Sequence, residues 1–523
     1  MGRSLQLAMP IISRRLVASA HSLVGLPPSL RGRFAKAAVW SFIGAALSRG
    51  LTLVSSVICA RLLTKTGFGE LGMIQSTVGM FSIVAGLGLG MTATKYVAEH
   101  RTDDPRKAGR LLALTSAVAV ISGAVMSIAL ILLAPLLSEK SLVAPRLAGP
   151  LALAAGMLFF GAVNGAQTGA LSGFEAFKTI ARVNLSSGLL SFPLVVVGVW
   201  RWGLNGAVAG LVLSVAVNCL LNNLAIRKEC AAADVPYVFH ECWQEWPVLW
   251  RFSLPAFLSS SIQGPIMWLA NTALVHQPGG YGELGVVNAA QQIRMMLFLI
   301  PSMAFAPVLP ILSNLGGEQD DGDASGLVRQ VTLLGCLTLF PAAVLLTAIA
   351  PWALGVYGRD FATRPQILTW AMVTLMINGI GVAVAQVIFS SGRAWIGLLV
   401  NACWAAVFLP GAYLALGPMG GTGYMMCFAL GHLAMLLSVV IYLKRTLARV
   451  LGTTPVVPLL LVGATAMLVA EGVRLLPGGM WVGLGASAVT ALGAAAAVGL
   501  MLRRGVHPGG ASAPARQLQE TEV

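Results

Sequence analysis

From Trp40 to Leu502 the chain alternates between long apolar runs and short polar, Gly- and Pro-containing stretches. Each apolar run is roughly 20 residues, enough for an α-helix to cross a hydrocarbon core of ~30 Å. Fourteen runs qualify: 38–60, 71–92, 111–133, 149–171, 181–200, 204–226, 253–275, 284–313, 328–350, 366–389, 395–416, 421–443, 455–474 and 480–502. The pattern predicts an all-α polytopic membrane protein of about 14 transmembrane helices.

The polar stretches contain a repeat. Residues 66–76 read TGFGELGMIQS and residues 279–289 read GGYGELGVVNA, 213 positions later. Beyond that phrase Asn184 aligns with Asn401, Gly203 with Gly420, Gly206 with Gly423, and Arg227-Lys228 with Lys444-Arg445, each pair 217 apart. The first six runs therefore correspond to the next six. Six crossings is an even number, so the copies share one orientation, as in transporters built from parallel repeats. The expected organisation is a basic cytoplasmic arm (1–37), an N-terminal six-helix bundle (38–226), a cytoplasmic linker (227–251) and a C-terminal six-helix bundle (252–445). Two extra transmembrane helices (455–502) and a disordered tail (503–523) complete it. The repeated phrase falls at the outer side in both copies. Its glycines suit a tight turn and close helix approach, and Glu70 and Glu283 suit a helix N-terminus. The competing reading makes the two glutamates part of an outer gate.

Composition agrees with a lipid environment: 57% of residues are hydrophobic, only 10% are charged, and the mean hydropathy is +0.82. A net charge of +15 raises the question of nucleic acid, but its distribution answers it. With the N-terminus inside, 24 of the 34 Lys and Arg residues fall on cytoplasmic segments and eight on outer loops. That bias sets topology, places both termini in the cytoplasm and brings basic side chains to anionic lipid headgroups. No nucleic-acid partner is expected. The seven cysteines show neither zinc-site spacing nor a disulfide framework, and neither a metal nor a cofactor is expected.

The two remaining cations, Arg49 and Arg294, lie inside apolar runs. Arg49 is about twelve residues, or ~18 Å, from either end of the first run, too deep to snorkel to the headgroups. Ser41, Ser48, Thr52, Ser55 and Ser56 lie with it within ~120° of helix surface, as on a helix lining a hydrated cavity. Arg294 sits at similar depth with Asn288, Gln291 and Gln292 on a face ~160° wide. In the repeat register Arg49 pairs with Ile262 and Arg294 with Phe81, so neither arginine is a copy of the other. No Asp or Glu stands obviously inside the first twelve runs to neutralise them. Such cations suit an anionic ligand, and arginine holds phosphate through bidentate, charge-assisted hydrogen bonds. Gln263, Asn271, Asn288 and Gln291 are candidates to hydrogen-bond sugar hydroxyls.

ARLLTKTGFGELG (60–72), GLGLGMTATKYVAEHR (86–101) and LSGFEAFKTIARVN (171–184) resemble the bacterial polysaccharide transporters, the oligosaccharide-lipid flippases of the multidrug/oligosaccharidyl-lipid/polysaccharide superfamily. The resemblance covers roughly residues 36–445. It implies an inner-membrane protein, not an enzyme, that moves a polyprenyl-diphosphate-linked oligosaccharide for exopolysaccharide, O-antigen or capsule synthesis. Its partners would be membrane lipids and a polysaccharide polymerase or assembly complex, with the coupling ion left open. Lipid II flippases resemble this arrangement, with cavity arginines on the first and eighth helices, where Arg49 and Arg294 stand. A lipid II flippase is thus one alternative and a cation-coupled multidrug antiporter another, although the latter branch tends to use intramembrane carboxylates. A polymerase or ligase would need a large outer catalytic loop, whereas the longest outer connections (134–148 and 351–365) have fifteen residues.

Overall fold

A computed structural model describes residues 28–254, 257, 261–305, 321–390, 394–446, 454–475 and 479–504. Among the described residues there is no strand. The helices are α1 (Pro28–Gly86), α2 (Leu89–His100), α3 (Pro105–Leu136), α4 (Ala148–Gly173) and α5 (Phe177–Ala232). After the linker come α6 (Gln263–Val275), α7 (Gly280–Phe305), α8 (Asp321–Ala348), the short α9 (Ala350–Gly355), α10 (Gln366–Ser390) and α11 (Ala394–Thr446). The last two are α12 (Val456–Leu475) and α13 (Gly479–Arg504). Three of these are pairs of crossings joined at one non-helical residue: Thr64 in α1, Gly203 in α5 and Gly420 in α11. Splitting them restores the order of the fourteen apolar runs. Eight described stretches are long and apolar enough to cross a membrane.

The joints preserve the repeat in backbone geometry. Gly203 has φ 57° and ψ −134°, and Gly420, 217 residues later, has φ 55° and ψ −135°. Only glycine occupies that region without strain. The prolines inside α5 and α11, Pro193 and Pro410, keep the same spacing. The close approaches after the joints match as well: Gly206 faces the Gly198 carbonyl, and Gly423 faces the Ala415 carbonyl.

Helices α1 to α5 pack on one another, and α8, α10, α11, α12 and α13 form a second group. The second arm of α1 joins the two by packing along α6 and α7. Lipid offers no hydrophobic drive between helices, so small residues at the crossings matter more than bulk. Leu132, Leu414 and Leu468 face outward, as side chains solvated by acyl chains do.

Two boundaries differ from expectation. Helix α1 begins at Pro28, ten residues before the expected span, because Pro28 suits a first helical turn and no further proline follows before the apolar run. Residues 1–27 of the basic arm and 505–523 of the tail lie outside the described residues. The linker is a docked strap. Helix α5 continues to Ala232, and the chain then lies along α3, burying Val235 and Cys242. Arg110 binds Glu245 at 2.9 Å, Ser116 meets the Tyr237 hydroxyl at 2.9 Å, and Gly109 leaves room for the Pro236 carbonyl. Burial pushes the Tyr237 phenol above its ordinary range, which keeps that hydroxyl neutral.

Candidate central cavity

At the end of the bundle expected to face outward, the two copies of the repeated phrase lie against each other. A Cβ on Gly69 would overlap the Tyr281 carbonyl oxygen, and one on Gly285 would overlap the Lys65 carbonyl oxygen. The phrase glycines from Gly67 to Gly72 are helical. The left-handed residues stand just outside the phrase core, at Thr64 (φ 67°) and Gly279 (φ 69°). Each glutamate pairs with an arginine of a nearby connection: Glu70 with Arg146, and Glu283 with Arg364 at 3.1 Å. Glu283 also accepts from the Gly421 amide beside the α11 joint, at 3.2 Å. Further ties cross between the helix groups here. Arg61 donates to the Val356 carbonyl at 2.8 Å, Tyr281 donates to the Leu142 carbonyl at 2.7 Å, and Phe68 meets Phe361 edge-on at 6.0 Å.

Inward of this crossing lies a cavity of about 620 Å³, within the size range of small-molecule sites. Its walls come from the two arms of α1 and from α6 and α7. Arg49 lines it, exposed on its helix and in no ion pair among the described residues. Asn271, Asn288, Gln291 and Gln292 line it from the opposite side. Asn271 is fixed in place, donating to Ser76 Oγ at 2.9 Å and accepting from the Tyr424 hydroxyl at 2.7 Å. Asn288 has a buried amide nitrogen with no hydrogen-bond partner among the described residues, and Gly72 leaves the space that this amide occupies. A buried donor left unsatisfied costs about 1–3 kcal/mol, which a ligand acceptor would recover.

Arg294 and Gln263 are placed differently from the other candidates, and neither lines the cavity. Arg294 is 4% exposed; its guanidinium carbon lies 5.5 Å from the Phe428 ring centre. Its Nε donates to Gln291 Oε1 at 2.6 Å, so it braces a residue that does line the cavity. Rotation of α7 turns Arg294 toward α11, while Gln291 and Met295 face the cavity. Gln263 is exposed and donates to Asn401 Oδ1 at 3.3 Å. The serine ladder of the first run also divides. Ser48 donates to the Asn184 carbonyl at 3.1 Å, joining α1 to α5, whereas Thr52, Ser55 and Ser56 face open space.

That space is a second, smaller cavity of about 280 Å³ between α1, α4 and α5. It shares Thr52, Phe68, Gln75 and Gln292 with the larger one, so the two are adjoining compartments. Ser187, Ser191, Ser214 and Asn218, beside Asn164, complete its polar lining. Sequence reasoning missed these four. The available signal was the i, i+4 spacing of 187/191 and 214/218, which places each pair on one face of an apolar helix.

A protein-family profile described as "Polysaccharide biosynthesis protein" matches residues 34–315, more than half of the chain. The EPS I polysaccharide export inner membrane protein EpsE of Ralstonia nicotianae is 24% identical over 413 residues, covering 75% of this chain and 88% of that protein. Two solved structures share the fold. The lipid II flippase MurJ in an inward closed conformation superposes with a TM-score of 0.67 at 12% identity, over 89% of this chain and 99% of that one. A multidrug resistance MATE family transporter of the MOP superfamily, inward-facing, gives 0.64 at 15% identity, over 79% and 98%. The chain belongs to the polysaccharide biosynthesis protein family and has the polytopic helical fold of the MOP-superfamily transporters.

Proposed function

We propose that this protein is a flippase that carries a polyprenyl-diphosphate-linked oligosaccharide from the cytoplasmic to the outer leaflet of a bacterial inner membrane, for exopolysaccharide, O-antigen or capsule synthesis. The observation that carries the reading is Arg49, a cation far along a membrane helix that faces a 620 Å³ cavity with no acidic partner among the described residues. An unpaired arginine at such depth costs about 2.5–3.5 kcal/mol on insertion scales, and a diphosphate would offset that cost. The family membership and the export role of the EpsE relative support the same substrate class.

In this mechanism two six-helix units, 38–226 and 252–445, rock about the cavity. The diphosphate meets Arg49, the Asn288 amide supplies a free donor, and the lipid tail stays in the bilayer. Arg294 holds Gln291 in place and joins the phosphate contacts when the units rearrange. The protein performs transport, not bond chemistry, with both termini in the cytoplasm and a polymerase or assembly complex as its partner. Among the described residues no carboxylate lines either cavity, which fits cation exchange through an intramembrane acid poorly. The test is binding of a polyprenyl diphosphate to purified protein. Arg49→Ala is expected to weaken it at least tenfold, one charge-assisted hydrogen bond being worth about 1.5–3 kcal/mol. Unchanged affinity in that variant would remove the basis of the proposal.

A further inference from the structure

The smaller compartment has a counterpart in the second repeat, and that counterpart is filled. With the 217-residue register fixed by the two glycine joints, Ser187 corresponds to Trp404, Ser191 to Phe408, Leu211 to Phe428 and Val215 to His432. The four later residues form one stacked cluster. Trp404 stacks on Phe408 at 5.1 Å, Phe408 meets Phe428 edge-on at 5.4 Å, and Phe428 meets His432 at 4.4 Å. His432 Nδ1 lies 2.9 Å from the Phe428 carbonyl oxygen and 3.2 Å from Trp404 Nε1, and Trp404 and Phe408 are fully buried. Ser214 and Asn218 correspond to Gly431 and Met435, so the polar lining is lost as well. The duplicated fold thus keeps one neutral, hydroxyl- and amide-lined chamber on one side and a solid aromatic plug on the other.

We infer that this chamber is a saccharide subsite, which takes an uncharged sugar ring next to the lipid diphosphate; the inference rests on the flippase reading. Three features of the chamber point that way. Its lining holds no ionisable acid or base among the described residues except the Cys59 thiol, so it is built for neither a cation nor a phosphate. Serine hydroxyls and the amides of Gln75, Asn164, Asn218 and Gln292 offer both donors and acceptors, which a polyol matches. Phe68 and Phe192 supply flat apolar surface to lie against a ring. The geometry fits the substrate's own order. Ser56 is seven residues beyond Arg49 on one helix, about 10 Å toward the outer side. A diphosphate at Arg49 would therefore present its first sugar to the chamber, head foremost along the transport direction.

The test compares binding of two probes to the full-length protein in nanodiscs: bare undecaprenyl diphosphate, and the same lipid carrying one N-acetylglucosamine. The wild-type protein should bind the sugar-bearing probe more tightly by at least the ~5-fold that one hydrogen bond provides. Ser191→Phe, which gives the chamber its counterpart's residue, should remove that advantage and leave bare-lipid binding unchanged. The volume-sparing double variant Ser187→Ala/Ser191→Ala should reduce the advantage, and it decides the matter if Ser191→Phe does not fold. An advantage that survives in the folded variants, or no advantage in the wild type, overturns the subsite. Arg49→Ala separates the two claims: it should weaken both probes by the same factor. If it weakens neither, the phosphate reading falls while the sugar advantage still reports on the chamber.

Discussion

Arg49 and Arg294 show how two residues of the same type at similar depth come to have opposite consequences. Arg49 faces the cavity with no ion pair among the described residues, so truncating it gives up no such contact, whereas Arg294 packs over Phe428 and holds Gln291. Arg294→Ala should therefore lower stability by about 2–4 kcal/mol, through the void it leaves and the lost hydrogen bond. Arg49→Ala should leave the melting temperature unchanged or raise it. A thermal-shift series on the two variants checks the contrast, and equal losses would contradict it. Thr64 is a second informative residue. Its φ of 67° and ψ of 174° lie in a region that essentially only glycine occupies, at a cost of about 1–3 kcal/mol. Thr64→Gly should raise the melting temperature, since the strain relieved exceeds the ~0.5–1 kcal/mol of added chain entropy. A fall would show that the Thr64 side chain contributes more than its backbone costs.

At the scale of elements, the outer crossing depends on glycines that admit the opposite backbone. Gly69→Val should force the second arm of α1 away from α7 and open the outer side. Cys59, buried and lining the smaller chamber, then becomes the reporter. A membrane-impermeant maleimide added outside should label it in the variant and not in the wild type, and protection in both would refute a glycine-dependent seal. The joints make a paired prediction. Gly203→Ala and Gly420→Ala should each cost about 1–3 kcal/mol, because the two share one strained backbone conformation. These elements were legible in the sequence because each leaves a physical mark: span length fixes the fourteen crossings, and the glycine spacing fixes the 217-residue register. The rotation of α7 left no such mark. Its polar face from Asn288 to Arg294 was too wide to show that Arg294 turns inward to protein and Gln291 to the cavity. The chamber stayed hidden for a related reason. Serine against tryptophan at equivalent positions means space against filling only once neighbouring helices are in place.

The whole molecule is tied most visibly at the end where the two phrase copies meet. Arg61 reaches Val356, Tyr281 reaches Leu142, Phe68 meets Phe361, and the phrase glycines lie against the facing backbone. Each glutamate of the phrase is bound to an arginine close by, so the ion pairs stiffen the two groups, while hydrogen bonds to carbonyls, ring contacts and backbone approaches join them. Joining contacts of this kind part without splitting an ion pair, which suits a seal that must open in every cycle. The proposed orientation, argued from the basic bias, predicts that tags at both termini resist protease added outside intact cells. The central claim is that Arg49 draws a lipid diphosphate into the cavity for transfer. Its most direct test is translocation of a labelled polyprenyl-diphosphate sugar in proteoliposomes containing the wild type, Arg49→Ala or Arg49→Lys. The account predicts at least a tenfold slower rate for Arg49→Ala and partial retention in Arg49→Lys, where the charge stays but the bidentate fork is lost. Translocation at the wild-type rate by Arg49→Ala would contradict it.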